Sequence, residues 1–176
     1  SEYSPPNRFV DELSSSGPRS WPPRLVGFWR HTHDYAAVDA DMIYVRAQTA
    51  DGRGPFVLAQ ALLEPVLGEG AVVLDQMPGD DIVGTRYEPP FPYIPTEEWG
   101  PLGNTVLRAG FVTADDGTGI VHTALAFGED DYRLGADHGM TVVNPVALDG
   151  SYDERVGPYA GRFVKDCDTD LVADLE

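Results

Sequence analysis

No apolar run in this chain outlasts a short strand before glycine, proline or an aspartate-glycine pair interrupts it. Such punctuation rules out a membrane-length apolar span and restricts the fold to short elements joined by tight turns. Met42 to Ala47 reads as a strand. Asp51-Gly52-Arg53-Gly54 supplies a turn, and Phe56-Val57-Leu58 answers as the second arm of a hairpin. Ala59 to Leu67 carries leucines at 62, 63 and 67 and reads as a short amphipathic helix closed by Gly68, with a strand at Ala71 to Leu74 behind it. Ile82 to Tyr87 is predicted as a further strand, ended by Glu88-Pro89-Pro90-Phe91-Pro92 because consecutive prolines cannot donate to a ladder. A loop then runs to about Asn104. Val106 to Thr113 and Thr118 to Thr123 flank Ala114-Asp115-Asp116-Gly117, a hairpin-turn signal. Glu129 to His138, stopped by Gly139, reads as one helix, Thr141-Val142-Val143 begins a last strand, and Asp168 to Leu175 reads as a terminal helix. Many short strands with a few helices point to a β-rich α+β domain with a barrel-like core and peripheral helices, not a doubly wound sheet.

The first two dozen residues differ in kind. Five of the fifteen prolines and six serines fall there, which resists regular structure. We therefore divide the chain into a Pro/Ser-rich arm, residues 1–28, and a body, residues 29–176. A chain of 176 residues can bury one substantial core. Twenty-nine acidic against twelve basic side chains give a formal net charge of -17, and the only lysine is Lys165. That is the opposite of a phosphate-gripping surface, so weak or no autonomous nucleic-acid binding is expected. With Cys167 as the single cysteine, an internal disulfide framework and a thiolate metal cluster are excluded. The start of the chain has neither the basic nor the apolar part of a signal peptide. These features together give a cytoplasmic, membrane-free expectation.

Two constellations could carry chemistry. In the first, Gly117-Thr118-Gly119-Ile120-Val121-His122-Thr123-Ala124 leads through Leu125-Ala126-Phe127-Gly128 to Glu129-Asp130-Asp131-Tyr132. A strand would deliver His122, and a helix would open with three carboxylates. Those carboxylates would repel a phosphate, and the third glycine of a dinucleotide loop is missing, so nucleotide binding there is rejected. Capping and dipole compensation use one or two of the three acids. The remaining one could hold a substrate ammonium or orient a water. The second constellation is Trp29-Arg30-His31-Thr32-His33-Asp34-Tyr35, where His31 and His33 share one face if the segment is extended. No third ligand stands at a recognisable spacing, so neither a metal nor an organic cofactor is assigned. No Gly-x-Ser-x-Gly elbow exists, and acidic neighbours would raise the pKa of Cys167, which argues against a protein nucleophile.

The first constellation closely resembles the signature segment of the editing domain (CP1) of isoleucyl-tRNA synthetases. The resemblance extends to Val83-Gly84-Thr85-Arg86-Tyr87-Glu88-Pro89-Pro90-Phe91 before it and to Asn144-Pro145-Val146 and Gly161-Arg162-Phe163-Val164-Lys165-Asp166 after it. It runs from roughly Ala36 to the C-terminus. What it implies is a twisted β-barrel core whose pocket hydrolyses the ester of a wrongly attached amino acid. Valine and isoleucine differ by one methylene, which a single binding site separates poorly, so a second hydrolytic sieve is needed. By the same resemblance Asp131 anchors the α-amino group and His122 shapes the pocket and helps place the substrate. Thr123 and Thr32 help arrange the attacking water, and Asp130, Phe127, Gly128 and Trp29 line the substrate.

Two departures stand out. The family carries a threonine-rich segment where this chain has Arg30-His31-Thr32-His33-Asp34-Tyr35, several residues shorter, and Leu125 replaces the proline usual after His-Thr-Ala. We therefore expect a free-standing relative. Three readings stay open: a hydrolase of misacylated tRNA of the valine/isoleucine type, a pocket repurposed for a small amino-acid-derived or natural-product intermediate with His31, His33 and Asp34 as new acid/base groups, and a non-catalytic binding module.

Overall fold

The computed structural model describes residues 35–115 and 117–174. Residues 1–34 lie outside this range, and with them the arm and the candidate residues Trp29, His31, Thr32, His33 and Asp34. The described residues divide into two compact units. The first is built from Ala36–Tyr87 and Thr105–His122, the second from Tyr35, Glu88–Asn104 and the stretch from Thr123 onward.

In the first unit, β2 (Ile43–Gln48) is the centre of a three-stranded sheet. It pairs antiparallel with β3 (Phe56–Ala59) on one side and β4 (Val72–Pro78) on the other. Aromatic and β-branched residues open each of these strands, Ile43-Tyr44-Val45, Phe56-Val57 and Val72-Val73, as a pleated surface favours. The expected β2–β3 hairpin is present. Its turn closes through Gly52 N–H to the Thr49 carbonyl at 2.9 Å, with Gly52 at φ 84°, where a side chain would be strained. Val45, Ala47 and Leu58 form a buried cluster, covered by Leu63, Val66 and Leu67 of the short helix α1 (Leu63–Leu67), which ends at Gly68 as its sequence indicates. At the outer edge, β4 leaves Val72, Val73 and Leu74 exposed.

The second sheet corrects the expected hairpin around Asp115-Asp116-Gly117. Strand β1 (Tyr35–Val38), buried along its whole length, lies between β5 (Val106–Arg108) and β6 (Ile120–Thr123). β5 runs parallel to β1, with Ala36 opposite Val106 and Val38 opposite Arg108. The strands on either side of the aspartate-glycine pair are thus kept apart by a third. The reason is burial: Tyr35-Ala36-Ala37-Val38 has no polar face to give solvent, so it takes the central place. No closed barrel is formed among the described residues; the strands make two three-stranded sheets.

Ile82 to Tyr87 is also not a strand. Gly79–Asp81 forms a single 3-10 turn, the Ile82 and Val83 amides both donate to the Gly79 carbonyl, and only Arg86 bridges, to Thr105. Ile82 and Tyr87 are buried as anchors of a turn rather than as one face of a ladder.

In the second unit, Phe91, Tyr152, Val156, Tyr159, Cys167 and Leu171 make the core, with Tyr93, Val146 and Val164 packed against it. Helices α2 (Glu129–Asp137) and α3 (Asp168–Asp174) are present as expected. The Tyr159 hydroxyl donates to Asp174 and Arg162 pairs with Asp170 at 2.7 Å, tying α3 to the turn before it. Arg155 reaches Asp153, Glu98 at 3.1 Å and the Asn144 carbonyl at 3.0 Å, which joins distant stretches of this unit. The strand expected from Thr141 does not form; Pro145 has no N–H to give, and the pairing shrinks to a bridge between Val146 and Tyr152.

Candidate functional site

Strand β6 ends in a tight turn that leads directly into α2. The Phe127 amide donates to the Ala124 carbonyl at 2.9 Å and the Gly128 amide does so at 3.3 Å, closing the turn. Gly128 caps α2 in an extended conformation, and the Tyr132 amide returns to its carbonyl at 2.9 Å. Three carboxylates occupy the first helical turn, where they complement the partial positive charge of the N-terminus.

These three acids have different fates. Glu129 pairs with Arg133 at 2.5 Å and Asp130 approaches the same guanidinium at 3.7 Å, and all three side chains stand mostly in solvent. Exposed pairs of this kind contribute only a few tenths of a kcal/mol. Asp131 instead turns inward and is half-buried, its Oδ2 accepting the Ala124 N–H at 3.1 Å. Burial pushes its carboxyl above the ordinary 3.8, the Ala124 hydrogen bond draws it back, and Asp130 raises it again. Oδ1 has no hydrogen-bond partner among the described residues. A Cβ on residue 128 would stand 2.6 Å from Asp131 Oδ2, so glycine there makes room for the inward carboxylate.

The rest of the segment supports this arrangement. Leu125, almost fully buried, places its two methyls 2.7 and 2.8 Å from where a Cβ on Gly135 would be; leucine and glycine interlock across the turn and α2. Thr123 is completely buried and its hydroxyl has no partner among the described residues. His122 is half-buried on β6, and Phe127 and Tyr132 are exposed. Cys167 is buried, and burial before any neighbouring carboxylate pushes its thiol up, away from the reactive thiolate. Among the described residues no group of three or more His, Cys, Asp and Glu side chains is placed to hold a metal ion. Chemically, the arrangement offers a half-buried anion suited to an ammonium group, and the strand that leads into the same turn carries a histidine.

Sequence reasoning missed two structural features of the second unit. Gly135 reads as an ordinary weak point in a helix until its pairing with Leu125 is seen. Asn104, buried at φ 52° with its Oδ1 accepting from the Thr96 hydroxyl at 2.7 Å, reads only as the end of a loop. Asparagine is among the few non-glycine residues that tolerate this backbone region, which is the signal that could have marked it.

No family model matches the chain. It is similar to the isoleucine–tRNA ligase of Mycobacterium tuberculosis (strain ATCC 25618 / H37Rv), with 45% identity over 143 residues that cover 80% of this chain and 13% of that protein. The corresponding ligase of Bdellovibrio bacteriovorus is 41% identical over 143 residues, and that of Methanothermobacter thermautotrophicus 39% over 140 residues, covering 80% and 79% of this chain and 13% of each ligase. The chain thus spans about an eighth of the length of these curated relatives. In structure it is similar to GlLeuRS-CP1, with a TM-score of 0.53, 16% identity, and coverage of 86% of this chain and 81% of that one. The editing domain of the Plasmodium falciparum cytosolic leucyl-tRNA synthetase gives 0.52, with 11% identity over 87% and 78% of the two chains. No helix among the described residues is long and apolar enough to cross a membrane. The chain is therefore an isoleucyl-tRNA synthetase editing-domain homologue, of mixed α+β structure with the CP1 fold of class I synthetases.

Proposed function

We propose that this chain hydrolyses the ester linking a misattached amino acid of the valine/isoleucine type to tRNA. Its two sheets belong to a twisted, barrel-like core of the editing type. Water attacks the ester carbonyl; a carbon–oxygen bond to water forms, the ester carbon–oxygen bond breaks, and the free amino acid and the tRNA hydroxyl leave. Asp131 holds the α-amino group as a charge-assisted hydrogen-bond acceptor. His122 helps place ester and water, and Phe127, Gly128 and Asp130 belong to the substrate side of the turn. Trp29 and Thr32 are proposed contributors from outside the described residues. Thr123 supports the turn from beneath, since its buried hydroxyl does not meet solvent in this conformation.

The observation that carries this reading is the inward turn of Asp131. Two of three neighbouring acids stay in solvent with Arg133, while the third is held half-buried with one oxygen unspent. Capping alone gives no reason to bury it. Purified protein is expected to release valine from valyl-tRNA(Ile), and Asp131→Ala to abolish the release. No release above buffer sinks the proposal. The charge of -17 motivates a second reading, in which the same segment acts on a small amino-acid-derived ester, with His31, His33 and Asp34 as acid/base groups. Release from a small aminoacyl ester together with indifference to tRNA selects that reading.

A further inference from the structure

Tyr44 lies in β2, outside the candidate segment, and is completely buried. Its hydroxyl donates to the Gly119 carbonyl at 2.7 Å and accepts the Asp39 N–H at 3.1 Å. Burial pushes the phenol up to about 12, so it remains a neutral donor throughout the physiological range. Gly119 is the last residue before β6 and is boxed in on a second side. A Cβ there would lie 2.4 Å from the Ala59 Cβ, and the Ala59 amide donates to the neighbouring Thr118 carbonyl at 2.8 Å. Gly119 also stands at φ 71°, which a side chain would make strained. Tyr44 and Ala59 are opposite one another in the β2–β3 ladder. Two adjacent strands of one sheet thereby clamp the start of a strand in the other. Gly79 is packed equally tightly against the ring: a Cβ there would meet the Asp39 carbonyl at 2.0 Å and the Tyr44 ring at 2.9 Å. The phenol therefore has little freedom to shift. From Gly119 to His122 is three residues, about 10 Å of extended chain with no intervening glycine.

We infer that Tyr44 is a positioning residue, its hydroxyl fixing the start of β6 and hence where β6 presents His122. This rests on the proposed hydrolysis. Because Asp131 grips the amino group from another segment, loss of the clamp affects the placement of ester and water rather than substrate capture. The effect therefore falls on kcat and spares KM.

The test compares Tyr44→Phe with Tyr159→Phe, which removes a buried, hydrogen-bonded phenol of the second unit. Deacylation kinetics, thermal unfolding and amide hydrogen exchange are measured on each. Tyr44→Phe is expected to lower kcat about tenfold with KM changed less than about twofold, and to speed exchange at Ile120, Val121 and His122. Tyr159→Phe is expected to lose stability while keeping kcat and the exchange of β6. Unchanged β6 exchange in Tyr44→Phe overturns the inference. So does a kcat loss that tracks stability alike in both variants, because that is a merely structural role. If the wild-type protein releases no amino acid from any ester, the proposed hydrolysis fails, while the exchange measurement still decides the clamp.

Discussion

Replacing Asp131 with asparagine separates charge from shape. The asparagine carbonyl oxygen can still accept the Ala124 N–H, so the turn keeps its hydrogen bond. What disappears is the negative charge. With its carbonyl taken by Ala124, the asparagine has only an NH2 to offer, which cannot accept from an ammonium; the whole charged hydrogen bond, about 1.5–3 kcal/mol, is lost and kcat/KM falls roughly ten- to a hundredfold. Stability moves the other way. Burial holds the folded carboxyl above its ordinary 3.8. The cost of ionising it is absent below the unfolded pKa, develops as pH rises from the unfolded value to the folded one and is complete above the folded value. The amide side chain carries no such cost, so Asp131→Asn is expected to be at least as stable as the wild type at neutral pH. Its advantage should shrink as pH falls through this window. Turnover by the wild type should fall through the same window, because a protonated carboxyl no longer holds an ammonium. The assay is kcat/KM on a free-amino aminoacyl ester and on its N-acetylated counterpart, with melting curves from about pH 3 to about pH 7. Wild type should discriminate strongly between the two esters, and the variant weakly. Equal kcat/KM in wild type and variant on the free-amino ester, or discrimination undiminished in the variant, refutes the role given to Asp131.

Other perturbations probe the surroundings. Thr123→Val keeps the shape and removes a buried hydroxyl without a partner among the described residues; the melting temperature should hold or rise, by up to about 1 kcal/mol of stability, and a loss larger than that shows a partner in solution. Leu125→Ala should cost about 2–5 kcal/mol and Gly135→Ala about 1–3 from overpacking, offset by about 1 of helix propensity. In the double variant the clash is gone, so the cycle should show a favourable coupling above about 0.5 kcal/mol; strict additivity in urea unfolding denies the interlock. On aminoacyl-tRNA, kcat/KM should stay flat or rise as salt increases from about 0.01 to about 0.15 M, because like charges are being screened. A steep fall, as for a phosphate-gripping surface, contradicts that reading of the surface.

The local elements were legible wherever one residue type decides the outcome. Gly52 closes the β2–β3 turn, Gly68 ends α1, and the acids at 129 to 131 open α2, all through backbone conformation or dipole effects that act within a few residues. Legibility failed where partners are distant. The aspartate-glycine turn after β5 promised a hairpin, yet β1, far upstream in the chain, took the place between its arms because its four residues must all be buried. Ile82 to Tyr87 has strand composition, but Gly84 at φ 85° lets the backbone curl into turns that bury the same apolar side chains. At the candidate site, the motif singled out Asp131, whose role is proposed, whereas the structural cause of its inward turn was not legible. It depends on Arg133 one turn on, and on Gly128 leaving room for the inward carboxylate.

Helix N-termini ordinarily attract anions, since their free amides and dipole favour negative charge. In α2 that preference is already met by three carboxylates of the chain itself, so a phosphate approaching this end meets like charge. The same substitution turns the end of the helix into a place for a cation. Burial strengthens that choice: the half-buried Asp131 gives up solvation, which an ammonium bound there, as proposed, would restore. The overall charge of -17 acts in the same direction, because it adds no affinity for a polyanion; under the proposed hydrolysis, selection then falls to short-range contacts at the amino group. On this view acidity and ester hydrolysis are compatible, provided that recognition is concentrated at the aminoacyl end and not along a phosphate backbone.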